Sequence, residues 1–376
     1  MSEAVEGAAV PGLLYSEVED DLRASVRALL ADRSPAAAVL ARVEGDPVAD
    51  LDLWRELAAM GATALPVPEE LGGAGASLRE ASVVAEELGR AVACVPFLGS
   101  AVLGAGALLR TGGEAAAGVL ADIASGASAA VLAVPLATPP GADLPAGVRA
   151  DGGTLTGAVR GVADAATADR LVVPAHGPDG PGLYLVAAAD AGVTPVVSLD
   201  LTRPLADVRL DGAPAQVLAT GPAAREAFGA ALSTGAALLA AEQLGVAEWA
   251  LATTVDYLKT RTQFGRPVGS FQAVKHRLAD LWVGVSQARA VVRAAAGAAA
   301  DGHPDAELNA ALAQAFVSEV AVRAAEEAVQ LHGGIGFTWE HPAHLYLKRA
   351  KADAIALGTA DRHRAALARL AGLPAA

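Results

Sequence analysis

Arg261 and Phe264 stand three residues apart in Arg261-Thr262-Gln263-Phe264-Gly265-Arg266-Pro267, and Phe271-Gln272 follows. Far downstream comes Gln330-Leu331-His332-Gly333-Gly334-Ile335-Gly336. Arginine presents a planar fork of donors that matches a diphosphate, and a phenylalanine three residues on can cover an aromatic ring system. The turn Gly265-Arg266-Pro267 reverses the chain between two helices and sets Phe271-Gln272 at the start of the second. Gly333 and Gly334 carry no side chains, so a helix end there can bring backbone N–H groups against a ligand. The chemistry these residues suit is binding of a phosphate-bearing aromatic cofactor. Taken singly, Arg261, Gln272 and Gln330 read as well as helix caps or solvated surface.

These residues need a frame. At 376 residues and 53% hydrophobic content the chain can bury a substantial core, and its length suggests two or three structural units. A formal charge of −14, from 28 basic and 42 acidic side chains, opposes partnership with nucleic acid or an anionic membrane surface. A small phosphate ligand is unaffected, because local arginines and helix N-termini govern it. No uninterrupted apolar run of about 18 residues with charged flanks occurs. The start Met1-Ser2-Glu3-Ala4-Val5-Glu6 is acidic where a secretory signal is basic, so the expected location is cytoplasmic. Cys94, the single cysteine, excludes an internal disulfide or a cysteine metal cluster; in Ala91-Val92-Ala93-Cys94-Val95-Pro96 it reads as a buried structural thiol.

The N-terminal part reads as helices. Leu22, Val26, Leu29 and Leu30 recur at helical spacing, and Ser77 to Leu88 offers an N-cap serine, an early acid at Glu80 and a stop at Gly89. The glycine-rich Val67-Pro68-Glu69-Glu70-Leu71-Gly72-Gly73-Ala74-Gly75 lacks the G-x-G-x-x-G spacing and a preceding strand, and is read as a structural loop. From about residue 129, the short runs Ala130–Val134, Leu171–Val173, Leu183–Val186 and Thr194–Val197 between Pro, Gly and Asp predict an antiparallel β unit. From about Ala223 helices return, with Leu244, Leu251, Val255 and Leu258 on one face and Leu308, Leu312, Phe316 and Val320 on another. The expected fold is α+β and mainly α, with domains at 1–128, 129–222 and 223–376.

That order, with these motifs, resembles the acyl-CoA dehydrogenase family across almost the whole chain. Leu57-Ala58-Ala59-Met60-Gly61, Pro68 to Gly75, Glu86-Glu87-Leu88-Gly89, Arg261 to Gln272, Gln330 to Gly336 and Gly358-Thr359 carry the likeness together. The resemblance implies an N-terminal helical domain, a central β domain, a C-terminal four-helix bundle, and FAD bound across a subunit interface. It would place Arg261 and Phe264 at the FAD diphosphate and adenine side, Gln272 at the ribityl or adenosine part, and Gln330 with Gly333 and Gly334 at the diphosphate. These residues would serve a flavin held mainly by a neighbouring subunit.

Two departures matter. The family's glutamate base precedes the final Gly-Thr or sits just before the first bundle helix, but here Leu357 and Gly235 fill those places, and neither accepts a proton. The family's own-subunit flavin contacts, a Thr-Glu-Pro segment with Gly-Ser-Asp and a Trp-Ile-Thr segment, are replaced by Ala137-Thr138-Pro139-Pro140-Gly141-Ala142-Asp143 and Val159-Arg160-Gly161-Val162-Ala163-Asp164. The ring-facing half of the site is eroded and the half lent to a neighbour is kept.

Glu340-His341-Pro342-Ala343-His344 gathers possible metal ligands, but Pro342 breaks the helix that would space them. Glu242, Glu248, Asp353 and Asp361 are possible replacement bases, each read first as a solvated or hydrogen-bonded helix residue. Trp249, Trp282 and Trp339 are read as packing residues. The leading expectation is a flavoprotein subunit that pairs with a homologous base-bearing subunit, as among actinobacterial members that take bulky acyl-CoA thioesters such as steroid side chains. Electrons would leave through an electron-transfer flavoprotein. Two readings compete: a self-sufficient, homo-oligomeric flavin enzyme using Glu242 or Asp361, and an assembly subunit without flavin.

Overall fold

The structure, a computed structural model, describes residues 12–45 and 48–373. Helix α1 (Glu17–Arg33) opens on a capping box in which Ser16 and Glu19 satisfy each other's backbone donors. Helices α2 (Ala36–Val43) and α3 (Leu51–Ala59) follow, the latter capped by Asp50. Helix α4 (Leu78–Ala91) begins at the predicted Ser77–Glu80 capping box. It does not stop at Gly89. A Cβ on Gly89 would lie 2.1 Å from the Glu242 carbonyl oxygen, and one on Gly245 would lie 1.9 Å from that of Glu86. The two glycines therefore let α4 cross the bundle backbone against backbone. A π-helical stretch, Phe97–Gly104, runs into α5 (Ala105–Thr111), and α6 (Gly113–Ser125) ends the first helical block. Val67 to Gly75 folds as a tight turn in which Gly72 and Gly75 take positive φ, in keeping with the structural reading.

Eight strands form one sheet: β1 (Ala130–Leu132), β2 (Val148–Asp151), β3 (Thr154–Ala163), β4 (Arg170–Gly177), β5 (Gly180–Ala187), β6 (Gly192–Val196), β7 (Leu205–Pro214) and β8 (Gln216–Thr220). Their order is β6-β7-β3-β2-β4-β5-β8, with β1 also against β4. Most pairs are antiparallel, but β1 and β2 run parallel to β4, a departure from the predicted pattern. The long excursion through β2 and β3 supplies the crossover that the β1–β4 pair requires.

The C-terminal bundle consists of α7 (Gly221–Thr260), α8 (Gln272–Ala300), α9 (Ala306–His332) and α11 (Ala360–Leu370), with α10 (Ala343–Asp353) packed on α7 and α9. Helix α7 is long and apolar enough to cross a membrane, yet its most apolar 18-residue window is 83% buried in the molecule, as in a core helix. The core face of α9 is not the predicted leucine stripe. Ala310, Ala313, Gln314, Val317, Ala321, Ala324 and Ala328 are buried, whereas Leu312 is 37% exposed. Alanine allows close helix approach, so the larger side chains are displaced to the flank of the interface. Trp249 packs, stacked on Tyr346, but Trp282 and Trp339 stand exposed and do not pack as expected. Cys94 is buried, and burial pushes its thiol up to about 12.

Candidate functional site

Leu357 lies between α10 and α11 with φ +53°, a left-handed conformation that is uncommon outside glycine. Two hydrogen bonds hold it there: its N–H donates to the Leu136 carbonyl at 2.7 Å, and its own carbonyl accepts from His363 Nε2 at 2.9 Å. Its side chain is fully buried. Gly235 lies inside α7, the first bundle helix, and not just before it as expected; a Cβ there would lie 2.5 Å from Leu103 Cδ2 and 3.1 Å from Leu357 Cδ1. The two positions expected to carry a base therefore converge on one spot, and apolar atoms fill it.

The acids expected as replacements are engaged elsewhere. Arg203 donates to Asp353 Oδ1 at 2.5 Å and to Glu242 Oε1, which also accepts from Arg349. Arg349 further donates to Asp200 Oδ2 at 2.5 Å and to Thr202 Oγ1 at 2.6 Å. All six side chains are buried, tying the segment before β7 to α7 and α10. Burial would raise the Glu242 carboxyl, but Arg203 and Arg349 outweigh it and hold it below its ordinary range. Burial pushes Asp353 up to about 7 against the pull of Arg203, and its Oδ2 has no partner. Three carboxyls share two guanidinium groups, so the least paired one keeps its proton. Glu248 pairs with Arg289, and Asp361 with Arg364 at 3.0 Å. Asp164 is likewise pushed up to about 6 by burial, and its Oδ2 accepts the Gly99 N–H at 3.1 Å, pinning the π-helical stretch to the sheet.

Beside the network lies a cavity of about 350 Å³ bounded by Leu136, Ala137, Arg160, Gly161, Leu199, Asp200, Arg203, Ile355 and Ala356. Ala137 and Gly161 offer no side-chain donors, and Arg203 is committed to carboxylates. This half does not fit the flavin-ring contacts of complete family members.

The other half differs. Arg261 caps α7, Phe264 lies at the tip of a short hairpin (φ +51°, 92% exposed), and Gln272 begins α8. Gln330 stands on the last turn of α9, and Gly333 (φ +64°) and Gly334 follow it. Tyr257 stacks on His332, so the ends of α7 and α9, and with them Arg261 and the glycine turn, share one end of the bundle. The side chains of Arg261, Gln272 and Gln330 make no hydrogen bond or ion pair among the described residues, while nearby Arg266 rests on the Phe271 ring at 3.9 Å. A Cβ on Gly333 or Gly334 would meet nothing within 4 Å. A free guanidinium and free side-chain amides suit an anionic ligand, and the glycine turn, whose Gly333 N–H is donated to the Gln330 carbonyl, leaves room for close approach, so these residues fit a diphosphate. Among the described residues no group of three His, Cys, Asp or Glu is placed to hold a metal, His341 and His344 included.

Sequence reasoning missed Asp200, Thr202, Arg203, Arg349 and Leu103. No local signal marked the charged residues: the stretch leading to Asp200 is exposed at Val197 and Leu199, and its partner Arg349 lies far along the chain.

Residues 16–127 match the acyl-CoA dehydrogenase N-terminal domain and residues 226–372 the acyl-CoA dehydrogenase C-terminal domain. The acyl-CoA dehydrogenase IpdE2 of Mycobacterium tuberculosis is 39% identical over 334 residues, covering 89% of this chain and 91% of that protein. A variant of the Tcur3481-Tcur3483 steroid ACAD superposes with a TM-score of 0.84 at 33% identity, over 95% of this chain and 98% of the other. The ChsE4-ChsE5 complex from Mycobacterium tuberculosis gives 0.85 at 32% identity, over 96% of this chain and 100% of the matched one. With the helical, sheet and bundle order and both terminal domains matched, this chain belongs to the acyl-CoA dehydrogenase family of oxidoreductases acting on CH–CH bonds.

Proposed function

We propose that this chain is the base-lacking subunit of a heteromeric, FAD-dependent acyl-CoA dehydrogenase, paired with a homologous subunit that supplies the glutamate. The observation that carries this reading is the contrast between its two sites. The convergence of Leu357 and Gly235 is sealed by Leu103, whereas the Arg261 and Gly333–Gly334 end of the bundle is open, with the Arg261, Gln272 and Gln330 side chains unbonded among the described residues. The likeness to a two-chain steroid ACAD and to the ChsE4-ChsE5 complex supports it.

FAD, when bound, supplies the hydride acceptor for α,β-dehydrogenation of the acyl-CoA thioester, and an electron-transfer flavoprotein takes the electrons onward. Arg261 neutralises the diphosphate with a charge-assisted contact. Gln330 and the open Gly333–Gly334 turn complete that grip, the turn by close approach since the Gly333 N–H is donated to the Gln330 carbonyl; Phe264 covers the adenine side, and Gln272 reaches the ribityl or adenosine part. The substrate class is a bulky acyl-CoA thioester of the steroid side-chain type.

The test is the visible spectrum of the chain purified alone and after co-expression with a base-bearing homologue. Alone it is expected to be colourless. The pair is expected to be yellow, with about one FAD per two chains. Full, tight FAD occupancy in a pure homo-oligomer overturns the reading.

A further inference from the structure

Tyr257 stands one helical turn before Arg261 on α7, and His332 ends α9 immediately before Gly333. Their rings stack with centroids 4.5 Å apart and planes 25° from parallel, and the His341 ring lies 4.4 Å from that of His332. His332 is buried. Its Nδ1 lies 2.6 Å from the Ala328 carbonyl, which can only accept, so the nitrogen carries the proton and fixes the ring on the last turn of α9. The turn that follows is wound tightly back on the last turn of α9: a Cβ on Gly336 would lie 2.4 Å from the Val329 carbonyl oxygen and 3.1 Å from His332 Cβ.

Arg261 through Pro267 are all exposed, and the Val268 N–H bond to the Arg261 carbonyl at 2.8 Å closes the hairpin on its own helix without reaching α9. The aromatic contact thus bridges the guanidinium-bearing end to the amide-bearing end. We propose that the Tyr257–His332–His341 stack is a positioning device that keeps Arg261 in register with the Gly333–Gly334 turn, so that both act on one diphosphate of a flavin nucleotide. A rigid aromatic pair suits this role because it fixes the spacing of two helix ends with few rotatable bonds. Tyr257, His332 and His341 are positioning residues and need not touch the ligand. The inference rests on the proposed function, since it requires that the turn and Arg261 meet a common ligand.

The experiment uses the co-expressed complex and measures FAD dissociation by recovery of flavin fluorescence, with assembly followed by size exclusion. Arg261→Ala is expected to weaken FAD retention about ten-fold or more. Tyr257→Leu is expected to weaken it about three- to ten-fold with assembly unchanged, and Tyr257→Phe, which keeps the ring, to restore wild-type retention. Tyr257→Leu added to Arg261→Ala is expected to cost less than it does alone, because a misplaced guanidinium matters only while present. In the free chain, Tyr257→Leu is expected to speed hydrogen exchange at the amides of Gly333 to Gly336, and Arg261→Ala to leave it unchanged. If Tyr257→Leu does not assemble, His332→Asn carries the same test, since it keeps a donor for Ala328 and removes the ring. Wild-type FAD retention in the ring-deleted variant, with Arg261→Ala weakened, overturns the positioning role. Unchanged retention in Arg261→Ala overturns the proposed function beneath it.

Discussion

Leu357 Cδ1 lies 3.1 Å from the point that a Cβ on Gly235 would occupy, although Gly235 is inside α7 and Leu357 is in the turn between α10 and α11. Either place could direct a carboxylate into the same space. In this chain the space is occupied from both sides, by Leu357 and by Leu103, whose Cδ2 is nearer still at 2.5 Å. Loss of the base is thus a packing feature as well as a change of chemistry.

Gly235→Ala is expected to destabilise the chain by about 1–3 kcal/mol, the usual range for overpacking a closed core. Leu103→Ala removes the atom that the new methyl would strike. Gly235→Ala is therefore expected to cost less in the Leu103→Ala background, with a coupling of about 0.5–3 kcal/mol in a double-mutant cycle read by urea unfolding. Strict additivity would separate the two residues.

Asp353 makes stability depend on pH with a definite sign. Its carboxyl is raised from 3.8 to about 7 in the folded chain. Between those values the folded state holds a proton that the unfolded state has released, so this contribution is full at low pH and is lost as pH rises toward 7. Asp353→Asn removes the titration. Relative to wild type, the variant is expected to gain on the order of 2–3 kcal/mol between pH 5 and pH 8. Unfolding curves of both proteins at the two pH values check this, and an unchanged gap refutes it.

Arg203 has two carboxylate partners, and Arg203→Leu strands Asp353 while leaving Glu242 to Arg349 alone. Removing one member of a buried ionic group is expected to cost about 3–5 kcal/mol. Adding Asp353→Asn is expected to recover part of that above pH 7, because it removes a carboxyl that has lost its counter-ion and must otherwise hold a proton. A second substitution that deepens the loss would show that Asp353 is held by something other than Arg203.

The sequence made the local signals plain and hid the long-range ones. Ser77 and Glu80 announced α4 because a capping box is complete within four residues. The runs at Leu171 and Leu183 announced β4 and β5 because burial on a sheet selects short apolar segments. Gly89 misled, since a glycine that ends a helix and one that admits a crossing helix look alike until the partner is known. The α9 core face misled for a related reason: hydrophobic size favoured Leu312, while close approach favoured Ala313 and Ala324. The ion network was out of reach because Arg203 and Asp353 are 150 positions apart, and no periodicity links them.

Leu357→Glu places a carboxyl where the family carries its base, and the backbone there is already clamped by Leu136 and His363. The surroundings are wrong for a carboxylate. Leu103, Gly235 and the end of α10 offer apolar contact, so burial is expected to raise the new carboxyl and to lower the stability of the fold. The cavity beyond Leu136 also departs from the family's flavin-ring contacts, since Ala137 and Gly161 carry no side-chain donor and Arg203 is held by carboxylates, which leaves Arg160 and Ser198 as its donors. The expected result for Leu357→Glu in the isolated chain is therefore a lower melting temperature and no acyl-CoA dehydrogenation, even with added FAD, although a well-placed general base is worth roughly 10² to 10⁴-fold in rate. In the co-expressed complex, turnover is expected to remain that of the partner's site. Turnover by the isolated variant would mean that its own site still takes flavin and thioester, and the division of labour proposed for the two subunits would fall.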